Sequence, residues 1–166
     1  MYLITIDGPA GSGKTTLADL IHDHLSSEGE KVAVIHMDDL YDGWEDPFST
    51  LLTRKIEAIL HDGAMGKTLT IPQYNWALGD FGDPLLIAAP ETLILEGVGS
   101  GQRSTRQSAS ISIWVDAPQE IALQRVLDRD GEQLRAQMER WQELEAEHFA
   151  RDETKSAADY QVKSAP

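Results

Sequence analysis

The segment GPAGSGKT, residues 8–15, has the residue types and spacing that bind phosphate groups. It fits G-x-x-x-x-G-K-[ST] without a gap, follows a strand-like apolar run and opens a helix-like segment. Its glycines let successive backbone N–H groups converge on phosphate oxygens, and the helix N-terminus reinforces that site. Lys14 is expected to reach the β- and γ-phosphates, and the Thr15 hydroxyl to ligate Mg²⁺. The sequence therefore predicts a site for a nucleoside triphosphate with magnesium.

The predicted nucleotide-binding residues form one continuous stretch: Gly8, Pro9, Ala10, Gly11, Ser12, Gly13, Lys14, Thr15 and Thr16. A GTPase would carry an Asn-Lys-x-Asp motif for guanine, and the sequence has none. Adenine is therefore favoured over guanine, and ATP with Mg²⁺ is the expected pair of cofactors.

Acidic residues follow two further strand-like runs. IHMDDLYDGW, residues 35–44, ends an apolar run in three aspartates, which is costly unless a positive centre lies nearby. Glu96 ends the run LILE, where a Walker B acid is expected, and Gly97 is expected to leave room for a substrate. Ligands of open parallel sheets lie outside the carboxyl ends of the strands, so these acids should meet the phosphate-binding loop. Asp38 and Glu96 are predicted magnesium ligands, and Asp38 or a neighbouring acid could accept a proton from a hydroxyl.

Asp39 is assigned to the same site, beside the magnesium shell and the substrate. The alternative for Asp38 and Asp39 is ordinary turn or helix-capping chemistry.

Arg125 and Arg129, spaced four apart in LQRVLDRDG, share one helix face and are predicted to stabilise charge on a transferring phosphoryl group. The alternative for them is a solvated face among acidic neighbours. Arg103, after Glu96, is a further candidate together with its neighbour at position 106.

Strands and helices alternate along the chain. Strand-like runs lie at 2–6, 32–36, 92–96, 111–115 and 160–163, with at most a short strand at 68–71. Helical periodicity marks 17–25, 52–60, 116–129 and 134–149. This alternation predicts parallel pairing through right-handed crossovers, and hence an α/β fold with an open sheet between layers of helices.

Composition narrows the function classes. The chain has 166 residues, of which 41% are hydrophobic, and is expected to form one domain over 1–166. It has no cysteine, which excludes disulfides and cysteine zinc sites. Its net charge of −14 argues against nucleic acid as a partner, and its apolar runs are too short to span a membrane. A cytoplasmic protein acting on a small-molecule substrate is expected, with the oligomeric state left open.

The quoted motifs resemble those of the uridine kinase type of P-loop kinase, which is related to pantothenate kinase and phosphoribulokinase. The resemblance rests on DGPAGSGKTT, DDLY, LILEG, and IWVDAP with R-x-x-x-R-D, and it covers residues 2 to about 130. It implies the three-layer P-loop NTPase fold with about five parallel strands. It also implies that Asp38 is the catalytic base, Glu96 the Walker B acid, and Arg125 and Arg129 the lid arginines, within lid and C-terminal helices at about 116–150.

The resemblance also places an acceptor-binding region at 37–84. Tyr41 matches an aromatic residue after the base, and IPQYNW, residues 71–76, is similar to a Pro-x-Tyr segment in which Tyr74 would contact the acceptor. Trp44 is expected to form a wall for a ring or sugar, with loop packing as the alternative. Trp141 on the long helix is expected to be ordinary packing.

Three departures from that family argue against uridine itself as the acceptor. Asp39 and Leu40 replace the usual pair after the base, and 79–82 lacks the arginine that often follows the Pro-x-Tyr segment. The compact chain is also expected to leave little room for the hairpin that shapes a uridine pocket.

Three functions remain open: a kinase for a nucleoside or similar neutral alcohol, a kinase for a phosphorylated acceptor such as a nucleoside monophosphate or dephospho-coenzyme A, and a regulatory ATP-binding protein without turnover. The region 37–84 holds three basic residues against nine acids, which favours a neutral acceptor.

Overall fold

The computed structural model describes residues 1–164. Its centre is a sheet of five parallel strands: β1 (Tyr2–Asp7), β2 (Val32–His36), β7 (Thr92–Glu96), β8 (Ile111–Asp116) and β9 (Tyr160–Lys163). Their order across the sheet is β2-β7-β1-β8-β9, with parallel pairing throughout. The predicted sheet of about five parallel strands is thereby confirmed.

The helices cover both faces of the sheet. The principal helices are α1 (Lys14–Ser27), α2 (Thr50–Ala64), α4 (Gln119–Asp130) and α5 (Arg135–Asp152), and the short ones are α3 (Arg103–Arg106) and α6 (Thr154–Ala157). Side chains alternate across a strand, so Ile94 packs under α1 whereas Leu93 and Leu95 join the core formed with α2, α4 and α5. The result is the predicted three-layer arrangement.

The segment between α2 and β7 contains more secondary structure than the one short strand predicted at 68–71. Two short antiparallel pairs lie there: β3 (Leu69–Ile71) with β6 (Leu85–Ile87), and β4 (Tyr74–Asn75) with β5 (Asp80–Phe81). The chain was expected to leave little room for a hairpin. That expectation was wrong, because strands of only two or three residues form antiparallel pairs here.

Helix α4 begins later than the sequence predicts. Its first residue is Gln119, with Pro118 at the N-cap, whereas the helical pattern in the sequence starts at residue 116. The Asp116 carboxylate instead accepts hydrogen bonds from Lys155 and Trp114. Within residues 1–164, no helix is both long and apolar enough to cross a membrane.

The strand register brings the polar strand ends together. Glu96 of β7 is paired with Ile6 of β1 on one side and with His36 of β2 on the other. Asp7 and Glu96 therefore end neighbouring strands at one edge of the sheet, with the turn Met37–Asp39 directly after β2. This edge positions the site.

Candidate active site

The loop at residues 8–15 has the geometry of a phosphate cradle. Gly13 adopts a φ of 94° immediately before α1, and among the described residues no side chain caps that helix. The amides of its first turn therefore lack intrahelical partners and point out of the helix N-terminus. Gly11 has a φ of 80°, and a Cβ there would lie 2.1 Å from the Ala122 carbonyl oxygen of α4. The loop is thus held closely against α4, and the amides at the N-terminus of α1 are available to an anion.

Lys14 lies at the floor of this loop. Its side chain is 7% exposed, and its amine donates a hydrogen bond to the Pro9 carbonyl at 2.8 Å. Burial lowers the pKa of Lys14, and nearby carboxylates oppose that shift. These carboxylates belong to Asp7, Glu96, Glu145 and Asp38. An amine held in this position can stabilise the charge of a bound triphosphate.

Asp7 is a functional residue that the motif analysis missed. It is 1% exposed and accepts hydrogen bonds from the amides of Gly8, Gly99 and Gly101, at 2.7, 3.0 and 2.9 Å. Burial raises the pKa of Asp7 to about 6, although these amides and Lys14 favour its charged form. Asp7 therefore joins the start of the phosphate loop to the loop after Glu96. The available signal was an acid at the end of an otherwise apolar strand.

The predicted magnesium ligands Thr15 and Glu96 are in contact. The Thr15 hydroxyl donates to Glu96 Oε1 at 3.2 Å, and His36 Nδ1 lies 2.6 Å from the same oxygen. Magnesium in kinases is usually held by one or two protein oxygens together with substrate phosphates. Within residues 1–164, no group of three or more His, Cys, Asp or Glu side chains forms a metal cage. The oxygen donors Thr15, Glu96 and Asp38 fit such a shared ion, and the contact with His36 was not foreseen.

Asp38 lies in the turn after β2 and opens into the same cleft as Lys14 and Glu96. The Asp38 side chain is exposed to the open cleft. The surrounding walls nevertheless reduce its hydration, and this desolvation, followed by repulsion from Glu96, raises the pKa of Asp38. Asp39, the next residue, is half-buried and lies outside the lining of the cleft. The structure thus distinguishes the two aspartates, since Asp38 lines the cleft and Asp39 does not.

The cleft has a volume of about 740 Å³ and connects the phosphate loop with an aromatic wall. We define the tryptophan wall as Trp44, Trp76 and Trp141, which all line the cleft. The Trp44 ring centroid lies 4.8 Å from that of Trp76 and 5.8 Å from that of Trp141. Trp76 Nε1 donates to the Asp38 carbonyl at 3.0 Å. The wall therefore stands directly beside the candidate base.

Two aromatic residues that were predicted to contact the substrate, Tyr41 and Tyr74, do not line the cleft. Tyr41 is 1% exposed and donates its hydroxyl to the Val98 carbonyl, so it supports the wall from the core and does not line the cleft. Tyr74 also lies outside the lining and packs against Trp76 and Phe81. Trp141, expected to be ordinary packing, does line the cleft. Trp76, two residues after Tyr74, was missed although it belongs to the quoted IPQYNW segment.

Arg125 and Arg129, the two arginines of α4 assigned to the site, both line the cleft. Arg125 donates to the Ser164 hydroxyl at 2.6 Å and approaches the Gly11 carbonyl at 3.5 Å. Arg129 forms two hydrogen bonds to Asp130, and its charge also acts on Asp38. Both guanidinium groups are therefore in the cleft, with Arg125 near the phosphate loop and Arg129 near Asp38.

Arg103 and Arg106 do not enter the site. Arg103 forms an ion pair with Glu153 and also donates to the Arg151 carbonyl. Arg106 donates to the carbonyls of Gly101 and Asp152. The predicted substrate contact by Arg103 is therefore wrong, because both side chains tie α3 to the end of α5.

Gly97 lines the cleft, and the absence of a side chain there also makes room for Met37. Its φ is 130°, and a Cβ there would lie 2.6 Å from the Met37 Cβ. A glycine at this position lets the turn that carries Asp38 approach the end of β7.

Replacing Arg125 with alanine is expected to lower kcat roughly 10²-fold, and to raise KM for ATP much less. The reason is that charge spread over the transferring oxygens in the transition state needs the guanidinium more than the ground state does. Steady-state kinetics with varied ATP measures both constants. Arg140→Ala is the matched control, since Arg140 is 65% exposed and pairs with Glu143 on the surface. Equal effects on kcat and KM would assign Arg125 to ground-state phosphate binding.

Fold and site together are those of a P-loop kinase. The chain belongs to the AAA domain family, whose model matches residues 4–149. The resemblance to P-loop kinases of the uridine kinase type is confirmed by relatives and by structural neighbours.

Two relatives cover most of the chain. The cytidylate kinase of Methanococcoides burtonii is 28% identical over 149 residues, which is 90% of this chain and 75% of that protein. The uridine kinase of Mycoplasma pneumoniae is 28% identical over 149 residues, covering 80% of this chain and 68% of that protein.

Solved structures share the fold at lower identity. A protein described as a possible uridine kinase from Bacillus stearothermophilus superposes with a TM-score of 0.72 at 20% identity, over 97% of this chain and 88% of that one. Shikimate kinase from Acinetobacter baumannii superposes with a TM-score of 0.57 at 16% identity, over 100% of this chain and 85% of that one. These structures support the three-layer fold.

Proposed function

We propose that this chain transfers the γ-phosphoryl group of ATP to a hydroxyl of a small neutral molecule, a nucleoside or a similar alcohol. The observation that carries the proposal is the position of Asp38, whose carboxylate opens into the cleft between the phosphate loop and the tryptophan wall. An acceptor against the wall would present its hydroxyl to Asp38 and to the phosphates together. Relatives that are a uridine kinase and a cytidylate kinase support phosphoryl transfer as the reaction class.

The mechanism assigns each side of the cleft one task. The amides at the N-terminus of α1 and the Lys14 amine hold the phosphates, while Arg125 and Arg129 stabilise charge on the transferring oxygens. Thr15 and Glu96 would hold Mg²⁺, which neutralises phosphate charge when bound, and Asp38 acts on the acceptor instead. The acceptor oxygen forms the new bond to phosphorus as the bond from phosphorus to the ADP oxygen breaks. The hydroxyl proton passes to Asp38, whose raised pKa suits it to that role.

A neutral acceptor is supported by the positions of the basic residues between 37 and 84. Arg54 is exposed on α2, and Lys67 pairs with Asp62 at the surface. Lys55 donates to the Leu40 carbonyl at 2.9 Å and lies 3.8 Å from the centre of the Phe81 ring. Among the described residues that line the cleft, the cations are Lys14, Arg125 and Arg129, all assigned to the triphosphate. A dianionic acceptor normally needs converging arginine forks of its own.

The tryptophan wall supports an acceptor with a flat or apolar face. Trp44 and Trp76 remain 36% and 37% exposed, although aromatic side chains of this size are usually covered. An indole face can stack on a planar base or pack against the C–H face of a sugar. Both kinds of acceptor also carry hydroxyls, which can donate hydrogen bonds to Asp38.

A second candidate is a kinase for a nucleoside monophosphate, because the cytidylate kinase of M. burtonii is among the relatives. In that case the acceptor phosphate would have to share Arg129 with the triphosphate or enter beside the acids of 37–46. The shortage of separate cations in the cleft ranks this candidate second.

Nucleosides are expected to exceed their monophosphates in kcat/KM by at least roughly tenfold, which corresponds to ~1.4 kcal/mol. The reason is that binding an unpaired anion beside carboxylates is unfavourable. The measurement compares nucleosides, their monophosphates, pantothenate and sugars at equal concentration with Mg·ATP. A monophosphate as the best substrate would replace the neutral acceptor with the second candidate.

A further inference from the structure

Helix α5 contacts the phosphate loop through a buried acid that the mechanism above does not use. Glu145 is 4% exposed, and its Oε2 accepts a hydrogen bond from the Ala10 amide at 3.0 Å. Ala10 is the third residue of GPAGSGKT, so this bond fixes the loop backbone from outside. The sequence gives no local signal for the contact, because 135 positions separate the two residues.

The same helix also contributes to the other end of the cleft. Met138 and Trp141 of α5 line the cleft, and Glu145 follows Trp141 by one helical turn. A residue one turn further along lies on the same helix face. One rigid helix therefore contacts both the tryptophan wall and the phosphate loop.

We propose that Glu145 is a positioning residue that holds the phosphate loop in its binding conformation and links it to α5, the helix that contributes Trp141 to the tryptophan wall. The link to the wall concerns the acceptor and rests on the proposed function. The hold on the phosphate loop concerns nucleotide binding alone.

The surroundings of Glu145 give this contact a pH dependence. Burial raises the pKa of Glu145 to about 7, against the opposing effects of the Ala10 amide and Lys14. The titratable groups facing it are Lys14 of α1, Asp7 of β1 and the Tyr41 phenol after β2. Because its folded pKa is above the unfolded value of 4.5, the folded state binds the extra proton between about pH 4.5 and 7. Stability contributed by this proton is present below that range and is lost as the pH rises through 7.

The test is the affinity for a non-hydrolysable ATP analogue with Mg²⁺, measured by calorimetry. Glu145→Ala removes the acceptor for the Ala10 amide and is expected to weaken binding roughly tenfold, the scale of one buried hydrogen bond to a charged group. Glu145→Gln keeps an acceptor oxygen and is expected to bind within about threefold of the wild type. Glu147→Gln, exposed on the same helix, is the matched control and should bind as the wild type does.

A second measurement decides the question if Glu145→Ala is too unstable for its affinity to be measured. The melting temperature of Glu145→Gln relative to wild type is expected to rise between pH 5 and pH 8, by roughly 5 °C, because only the wild type loses the buried proton. The neighbouring titratable groups Asp7, Lys14 and Tyr41 are present in both the wild type and Glu145→Gln, so the comparison isolates the proton on Glu145. A pH-independent difference, unchanged affinity in Glu145→Ala, or an equal loss in Glu145→Gln would overturn the proposal. Since analogue binding needs no acceptor, these results do not depend on whether the acceptor is neutral.

Discussion

Replacing Lys14 with alanine is expected to lower kcat at least roughly 10²–10³-fold, the scale of removing one preorganised donor from a transferring group. Lys14 is the buried cation at the floor of the phosphate loop, and its amine is the group best placed to follow charge that develops on the β- and γ-phosphates. The variant loses one hydrogen bond, to the Pro9 carbonyl, and the attraction between the Lys14 amine and nearby carboxylates. Its folding is therefore measured together with its turnover.

The measurement is steady-state turnover beside a thermal unfolding curve. Lys67→Ala is the control, because Lys67 is 58% exposed and pairs with Asp62 away from the cleft. Unchanged turnover in a folded Lys14→Ala variant would contradict the assignment of residues 8–15 to phosphate binding.

Replacing Asp38 with asparagine is expected to lower kcat roughly 10²–10⁴-fold, with a much smaller change in nucleotide affinity. Asparagine keeps the size of the side chain but cannot take the hydroxyl proton.

Asp39→Asn is the matched control, because Asp39 is adjacent in sequence but lies outside the cleft lining. It should retain far more activity than Asp38→Asn. If Asp39→Asn were the more damaging change, the motif after β2 would be shifted by one residue and the assignment of the base would fall.

Local sequence patterns predicted the nucleotide end of the site. The phosphate loop depends on backbone geometry within eight adjacent residues, and Glu96 ends a strand whose position follows from hydrophobic runs. Parallel strands then bring Glu96 and the turn with Asp38 to one edge, as the register shows. Arg125 and Arg129 followed from helical spacing.

The acceptor end could not be predicted in the same way. Tyr41 and Trp76 both belong to quoted motifs, but which ring faces the cleft depends on packing between the turn after β2, the β4–β5 hairpin and α5. Arg103 was assigned from its position after Glu96, whereas its partners lie about 50 residues later, at the end of α5. Asp7 and Glu145 bind backbone amides of distant loops, and no side-chain motif encodes such contacts.

The central claim is ATP-dependent phosphoryl transfer to a small hydroxyl compound, and its most direct test is product detection. The wild-type protein and Lys14→Ala are incubated with Mg·ATP and a panel of nucleosides, nucleoside monophosphates, sugars and vitamins, and each mixture is read by mass spectrometry. The predicted result is one neutral compound that gains a phosphoryl group in proportion to the ADP formed, with the wild type only. Hydrolysis of ATP to ADP and free phosphate at the same rate in every mixture, with no phosphorylated panel member, would contradict it and favour a nucleotide-dependent regulatory protein.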